Sequence, residues 1–306
     1  MVANTTFLAP EEKERRNWSE SSRFVEGMIQ ESKLREQDSS GTAQGYYAFS
    51  AAGNFYGANN SERDEILELL KGARKAFKDN PPKKTSLNEK TLGPESKIPE
   101  GTTVLNVFSR IDPAPKELAG DDLNRGVGRD HLWILKKDTE EILSRLKDVK
   151  TAEAPNALVL RLVRFHLVDN VRGEPDHWDP ENIKSTSFKI EKLTENENSI
   201  GVKLSGNYSM LMPARKRDEK PHHVPEMGLI GNLEALFSID KNTHALVDAK
   251  IFASGEGWGE STFTMGAPKG KYPLKFAMVL AHDAYATQIA PQGVMSDRDD
   301  YLGEEK

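Results

Sequence analysis

The sequence predicts an α+β fold, an antiparallel β-sheet with helices packed on one face, preceded by a small N-terminal α-ββ-α unit. Three observations lead there. From Ser187 to Leu280 apolar residues recur at every second position, most cleanly in Ile200, Val202, Leu204, Tyr208 and Met210, the period of strands with one buried face. Upstream, Pro155 to Trp178 opens with the longest apolar run of the chain and carries Arg161 and Arg164 three residues apart. A strand would turn one of these arginines into the core, whereas a helix keeps both on one mild side with Ala157 and Val168. Finally, the stretch from 78 to 100 is rich in lysine and holds Pro81, Pro82, Pro94 and Pro99, which reads as a linker between two parts.

Taken in order, residues 11–36 predict a charged helix with Trp18, Phe24, Val25, Met28 and Ile29 as its apolar stripe. Two short aromatic strands follow in Tyr46–Tyr56, joined by a turn at Ser50–Asn54 where Gly53 can take positive φ. An amphipathic helix from Glu62 to Phe77 closes the unit, with Ser61 and Asp64 as a variant capping box and Ile66, Leu69, Leu70, Ala73 and Phe77 on one face. The N-terminal unit thus spans 1–77, the linker 78–100 and the main domain 101–291.

The main domain opens with a strand at Thr102–Arg110 and a glycine-containing loop ending in Asn124–Trp133, NRGVGRDHLW. Asp138 with Glu141 three residues later predicts a capped helix to about Val149. In the next helix Leu158, Leu162 and Phe165 face the core, with Val159 and His166 beside them, although its three valines also suit a strand. Beyond Trp178 come strands at Ser187–Leu193 and Ile200–Met210, and a hairpin whose arms Leu233–Ile239 and Ala245–Ile251 join at Asp240–Thr243. Further strands lie at Thr262–Met265 and Leu274–Leu280, while the acidic residues 292–306 read as a disordered tail.

Composition excludes several functions. With 306 residues the chain can bury a sizeable core, and Lys+Arg 42 against Asp+Glu 48 leaves a net charge of -6. That charge gives no footprint for nucleic acid or an anionic membrane. No window approaches a membrane span and the first residues do not read as a secretion signal, so a cytoplasmic protein is expected. With no cysteine there is no disulfide, thiolate metal site, cysteine nucleophile or dithiol redox chemistry.

Two resemblances enter here. Residues 45–77, a hairpin followed by a helix, weakly resemble the C-terminal half of a thioredoxin-like fold. The first strand-helix-strand unit and the redox cysteines of that fold are missing, so the resemblance implies a packing remnant without activity. Across the larger domain, LVRFHLVDNVRGEPDHW, the alternating strands and GEGWGE resemble a bacterial protein family with no assigned activity. This resemblance, carried by its RFHLVDNVRGEP stretch, transfers no site.

Candidate site residues cluster in loops. His166 and Asp169 are read as a proton-sharing acid–base pair, with Asn170 and Arg172 ready for a polar or anionic ligand and Trp178 for stacking. The alternative is that these residues close a helix end and that Trp178 is core. In NRGVGRDHLW, Arg125 and Arg129 flank two glycines whose N–H groups could meet an anion, although no dinucleotide fingerprint or P-loop is present. Glu256, Trp258 and Glu260 in GEGWGE could mark a sugar site, or the glycines a bulge. The histidines, including His222–His223, form no metal motif, and no cofactor is expected. Two functions remain: a non-catalytic binding or accessory module for a small polar or anionic ligand or a protein partner, and a cysteine-independent hydrolase using His166, Asp169 and an arginine anion site. A pure scaffold is the third class.

Overall fold

A computed structural model describes residues 46–50, 54–59, 63–81, 98–113, 126–216, 223–261, 263–264, 268–282, 287 and 289–303. The helix expected at 11–36, the cap at Ser61 and most of the linker lie outside these residues. Contacts divide the chain into two units, Met1–Lys97 and Ile98–Lys306.

In the first unit β1 (Tyr46–Phe49) pairs antiparallel with β2 (Phe55–Asn59), and α1 (Arg63–Asp79) follows. Gly57 sits at φ 137°, and a Cβ there would come within 2.8 Å of Leu69 Cδ1, so a glycine lets helix and hairpin close up. Of the expected apolar face, Ile66, Leu69 and Ala73 are partly shielded. Leu70 and Phe77 are instead exposed.

In the second unit the described strands are β3 (Thr103–Ile111), β4 (Val127–Ile134), β5 (Thr151–Glu153), β6 (Gly173–Glu174), β7 (Ile183–Glu195), β8 (Ser199–Met212), β9 (Arg215–Lys216), β10 (His223–Val224), β11 (Met227–Asp240), β12 (Leu246–Trp258), β13 (Phe263–Thr264) and β14 (Tyr272–Leu280). Its helices are α2 (Lys136–Arg145), α3 (Asn156–Arg161), α4 (Gln292–Ser296) and α5 (Arg298–Leu302). Eight strands form one sheet in the order β4-β3-β14-β12-β11-β8-β7-β5, every pairing antiparallel. The fold is α+β, dominated by antiparallel sheet.

Strand alternation builds the core as expected. Val202 and Leu204 of β8, Leu233 and Phe237 of β11, Ile251 of β12 and Phe276 of β14 share one buried cluster with Ile142 of α2, Leu158 of α3, and Leu146, Leu162 and Val163 just beyond those helices. The alternate positions Lys203, Glu234, Lys250 and Phe252 are open or partly open to solvent. Tyr208 lies across Gly231 and Gly255, each of which would meet its hydroxyl if it carried a Cβ.

Four local expectations are corrected. NRGVGRDHLW is mostly strand: β4 pairs regularly with β3 from Val127 to Ile134, because pairing outweighs its weak apolar alternation. Asp138 is not the N-cap but the third helical residue, and its carboxylate accepts the N–H of Leu135 at 2.8 Å. The helical reading of Pro155–Val168 is right, yet it continues beyond α3 as a wider π turn, Leu162–His166. Arg161 and Arg164 do not face a mild outer side but are buried. The expected disordered tail holds α4 and α5 instead, with Val294, Tyr301 and Leu302 buried against Val104, Trp133 and Phe165. Asp297 caps α5 by accepting the Asp300 N–H, and Gly303 ends it at φ 68°.

Candidate functional site

The loop after the π turn is pinned to the rim of the sheet by its own charges. Arg172 Nε donates to Asp169 Oδ2 at 2.6 Å, while its Nη2 donates to the carbonyl of Gly259 and to Tyr272 Oη at 3.1 and 2.6 Å. Tyr272 returns a hydrogen bond to Asp169 Oδ2 at 3.2 Å, and Asp169 Oδ1 accepts the Val171 N–H. Burial, then the Asp169 charge, push the Tyr272 phenol up, so it stays a donor. The 169–178 loop therefore meets the end of β12 and the start of β14.

Gly128 brings β4 to the same loop. A Cβ there would come within 2.6 Å of both the backbone and Cβ of Asn170 and would also strike Ser109 Oγ. At this position glycine is required by close approach, not by φ. Trp258, on the opposite face from Tyr272's neighbours in β12, lies against Gly228, donates from Nε1 to Glu226 at 3.1 Å and has Lys271 Nζ over its ring at 5.4 Å.

Where these segments converge there is a cleft lined by Val168, Asp169, Asp176, Trp178, Ser261, Thr264, Tyr272 and Leu274, among others. Its volume is about 20 Å³, room for a water molecule. A metabolite pocket holds roughly 300–1,000 Å³. As it stands, this cleft is a small gap where loop and sheet meet.

The expected acid–base pair is not formed. His166 is fully buried and its Nε2 shares a 2.8 Å hydrogen bond with Tyr301 Oη. Tyr301 Oη also accepts the N–H of Trp133 at 3.1 Å. The other ring nitrogen of His166, Nδ1, lies 3.3 Å from Asp130 Oδ2. The pair is misaligned for a hydrogen bond, and neither atom has another hydrogen-bond partner. Asp130 Oδ1 accepts the Gln292 N–H at 2.9 Å. Asp169 keeps company with Arg172, not with His166.

Around this array stand His131 and His177. Burial holds the His177 imidazole down at about 4, with His166 adding to the effect, and burial lowers His131 as well. Phe165 packs edge-on to His177 and tilted to Tyr301, both at 5.1 Å between centroids. Arg161 is held by Asp138 and by the Tyr301 carbonyl, which accepts from Nε at 3.0 Å. Arg164 grips Asp300 with both terminal nitrogens at 2.6 Å and donates from Nε to the Trp178 carbonyl at 2.8 Å.

The structure thus scatters the predicted site. Asp169, Asn170 and Arg172 share the loop, but Arg172 closes on Asp169 instead of facing a ligand. Trp178 is core, donating from Nε1 to the Leu167 carbonyl at 2.8 Å. Arg129 points to the other side of β4 from Asp130, its guanidinium 5.9 Å from the Phe108 ring. Arg125 lies outside the described residues. GEGWGE is neither bulge nor loop up to Trp258, being paired strand by strand with β11 and β14, and turns only at Gly259, φ 77°. Among the described residues no three His, Asp or Glu side chains are arranged to hold a metal ion, and no helix is long and apolar enough to cross a membrane.

Sequence reasoning missed Asp130, Asp138, Asp300 and Tyr301 as partners of His166 and the buried arginines. One signal was available: Asp297-x-x-Asp300, the apolar Tyr301–Leu302 and Gly303 form a start-and-stop pattern for a short helix. Comparison with protein-family models, curated proteins and solved structures finds no match.

Proposed function

We propose that the second unit is a non-catalytic binding module, with helices covering one face of its sheet and the other face presented to a protein partner. The observation that carries this reading is an apolar patch on that open face. Cross-strand pairing sets Phe108, Ala277 and Phe252 in one row, and Val279, Lys250 and Leu236 in the next. Phe252 and Leu236 are 58% and 51% exposed. Burying each would contribute roughly 1.5–3 kcal/mol, and contiguous apolar surface of this kind marks interaction sites. Lys250 adds positive charge within it and Glu234, opposite Phe252, a negative one, so a partner with an apolar surface of mixed charge fits best.

The small-ligand version is weakened by the size of the rim cleft. The hydrolase reading lacks its acid–base pair, because His166 and Asp169 answer to different partners and His166 has no exposed surface. A cytoplasmic setting, no nucleic-acid or membrane partner, and kinship with the bacterial family of the RFHLVDNVRGEP stretch belong to the same proposal, supported by net charge, composition and that stretch. The test is site-specific photo-crosslinking in cells, with the probe at position 252 and, as a control, at Glu197 in the β7–β8 turn. A discrete protein adduct from 252 alone, lost on Leu236→Ser, is the expected result. Equal labelling at both positions, or turnover in a substrate screen, would remove the reading.

A further inference from the structure

The chain's last described residues, 289–303, are fastened by ionisable side chains as well as by the buried Val294, Tyr301 and Leu302, and they cover what a folded domain rarely leaves bare. Among the described strands β4 pairs on one side only. On its other side Trp133 donates its N–H to Tyr301 Oη and its Nε1–H to the Ile289 carbonyl, while Asp130 accepts the Gln292 N–H. An uncovered strand edge invites pairing with another chain. The fastenings are Arg164 on Asp300, Arg161 on the Tyr301 carbonyl, and Lys137 Nζ on the Leu302 carbonyl at 2.7 Å. At their centre Tyr301 meets His166, in the array with Asp130, His131 and His177.

We propose that residues 289–303 are an acid-opened latch: protonation of His131 and His177 beside Asp130 frees the C-terminal helices and bares the β4 edge with Trp133, while the central strands stay folded. The charged groups facing the array are Asp130 and His131 from β4, Lys137 and Asp138 from α2, and Arg161, Arg164 and His166 from α3 and the π turn. Asp176 and His177 come from the following loop, and Asp297, Arg298, Asp299 and Asp300 from the latch itself. Asp138 and Asp300 are engaged by Arg161 and Arg164. Asp130 is the carboxylate at ion-pair distance from His166 among the described residues. It can balance one added proton, not one on each of His131 and His177.

The sign favours opening in acid. His177 packs on Phe165, which packs on Tyr301 of the latch, and burial holds it at about 4; lifting the latch uncovers it, so it then binds a proton more tightly and opening grows as pH falls below the ordinary value of about 6.5. Helices as short as α4 and α5 do not persist without their docking contacts, whereas β8, β11 and β12 are held by pairing and packing elsewhere. Release is therefore local.

Hydrogen exchange read by mass spectrometry on the full chain at about pH 7 and about pH 5, corrected for intrinsic rates, tests this. Exchange in 289–303 and in Val127–Ile134 should rise roughly tenfold or more at the lower pH, with Ser199–Met212 and Met227–Asp240 unchanged. Unchanged protection of 289–303, or equal loss in every strand, would overturn it. His177→Phe keeps a ring against Phe165 and removes one titrating group, so its opening should move about half a pH unit or more lower. A His177→Phe protein that opens where the wild type does refutes the histidine array as the trigger.

Discussion

Arg161 and Asp138 offer the sharpest test of how this fold is held together. Both side chains are 1% exposed, so neither charge is rescued by water if its partner leaves. Burial pushes the Asp138 carboxyl up despite the opposing pull of Arg161 and the Leu135 N–H. A carboxyl raised in the fold contributes stability below its unfolded value and loses it as pH rises, so at neutral pH the attraction does not fully offset desolvation. Arg161→Met should then cost about 3–5 kcal/mol by stranding a buried carboxylate, lowering Tm by roughly 10 °C in a unit of this size. Asp138→Asn, which keeps an acceptor for the Leu135 N–H, should cost a similar amount by stranding the guanidinium. The double variant should recover most of the loss, to within about 2 kcal/mol of wild type. Urea denaturation of all four proteins closes the cycle. Single losses below about 1 kcal/mol, as for exposed pairs, or a double loss equal to the sum, would refute the reasoning.

Other outcomes follow from the same geometry. Gly128→Ala must displace Ser109 or the Asn170 backbone and should destabilise by about 1–3 kcal/mol, seen as a lower urea midpoint with the slope unchanged. Tyr301→Phe keeps the ring but leaves the Trp133 N–H and His166 Nε2 unsatisfied, a loss of about 1–3 kcal/mol by the same assay. With the folded His177 imidazole at about 4, stability is full above about pH 6.5 and falls toward pH 4 by at most about 3 kcal/mol. In His177→Phe that decline should be visibly shallower in a pH series of thermal melts. Arg172→Lys cannot reach Asp169, Gly259 and Tyr272 together and should speed proteolysis of the 169–178 loop at least severalfold. Unchanged cleavage would show that the clasp is unimportant.

How legible each element was depended on where its partners lay. β8 and the β11–β12 hairpin declare themselves because period-two alternation and an Asp-to-Thr turn are local signals. β4 does not, since Gly128, Arg129, Asp130 and His131 break its alternation, and it is pairing with the distant β3 that makes it a strand. The helix at 156–166 was readable from the spacing of Arg161 and Arg164. Their burial was not, because their partners Asp138 and Asp300 lie 23 and 136 positions away. His166 and Asp169, neighbours in sequence, looked like a pair for the same reason that Asp130 and Tyr301 did not.

The sequence by itself determined the strand alternation, the helix after Pro155 and the freedom from cysteine chemistry, because each rests on composition or on residues within a few positions of one another. Only the tertiary structure decided which charges are consumed inside the fold, which apolar residues remain outside it, and that an acidic C-terminus packs as helix. Those outcomes depend on which distant groups a curved sheet brings within a few ångströms, and electrostatic and packing energies change most steeply over that range.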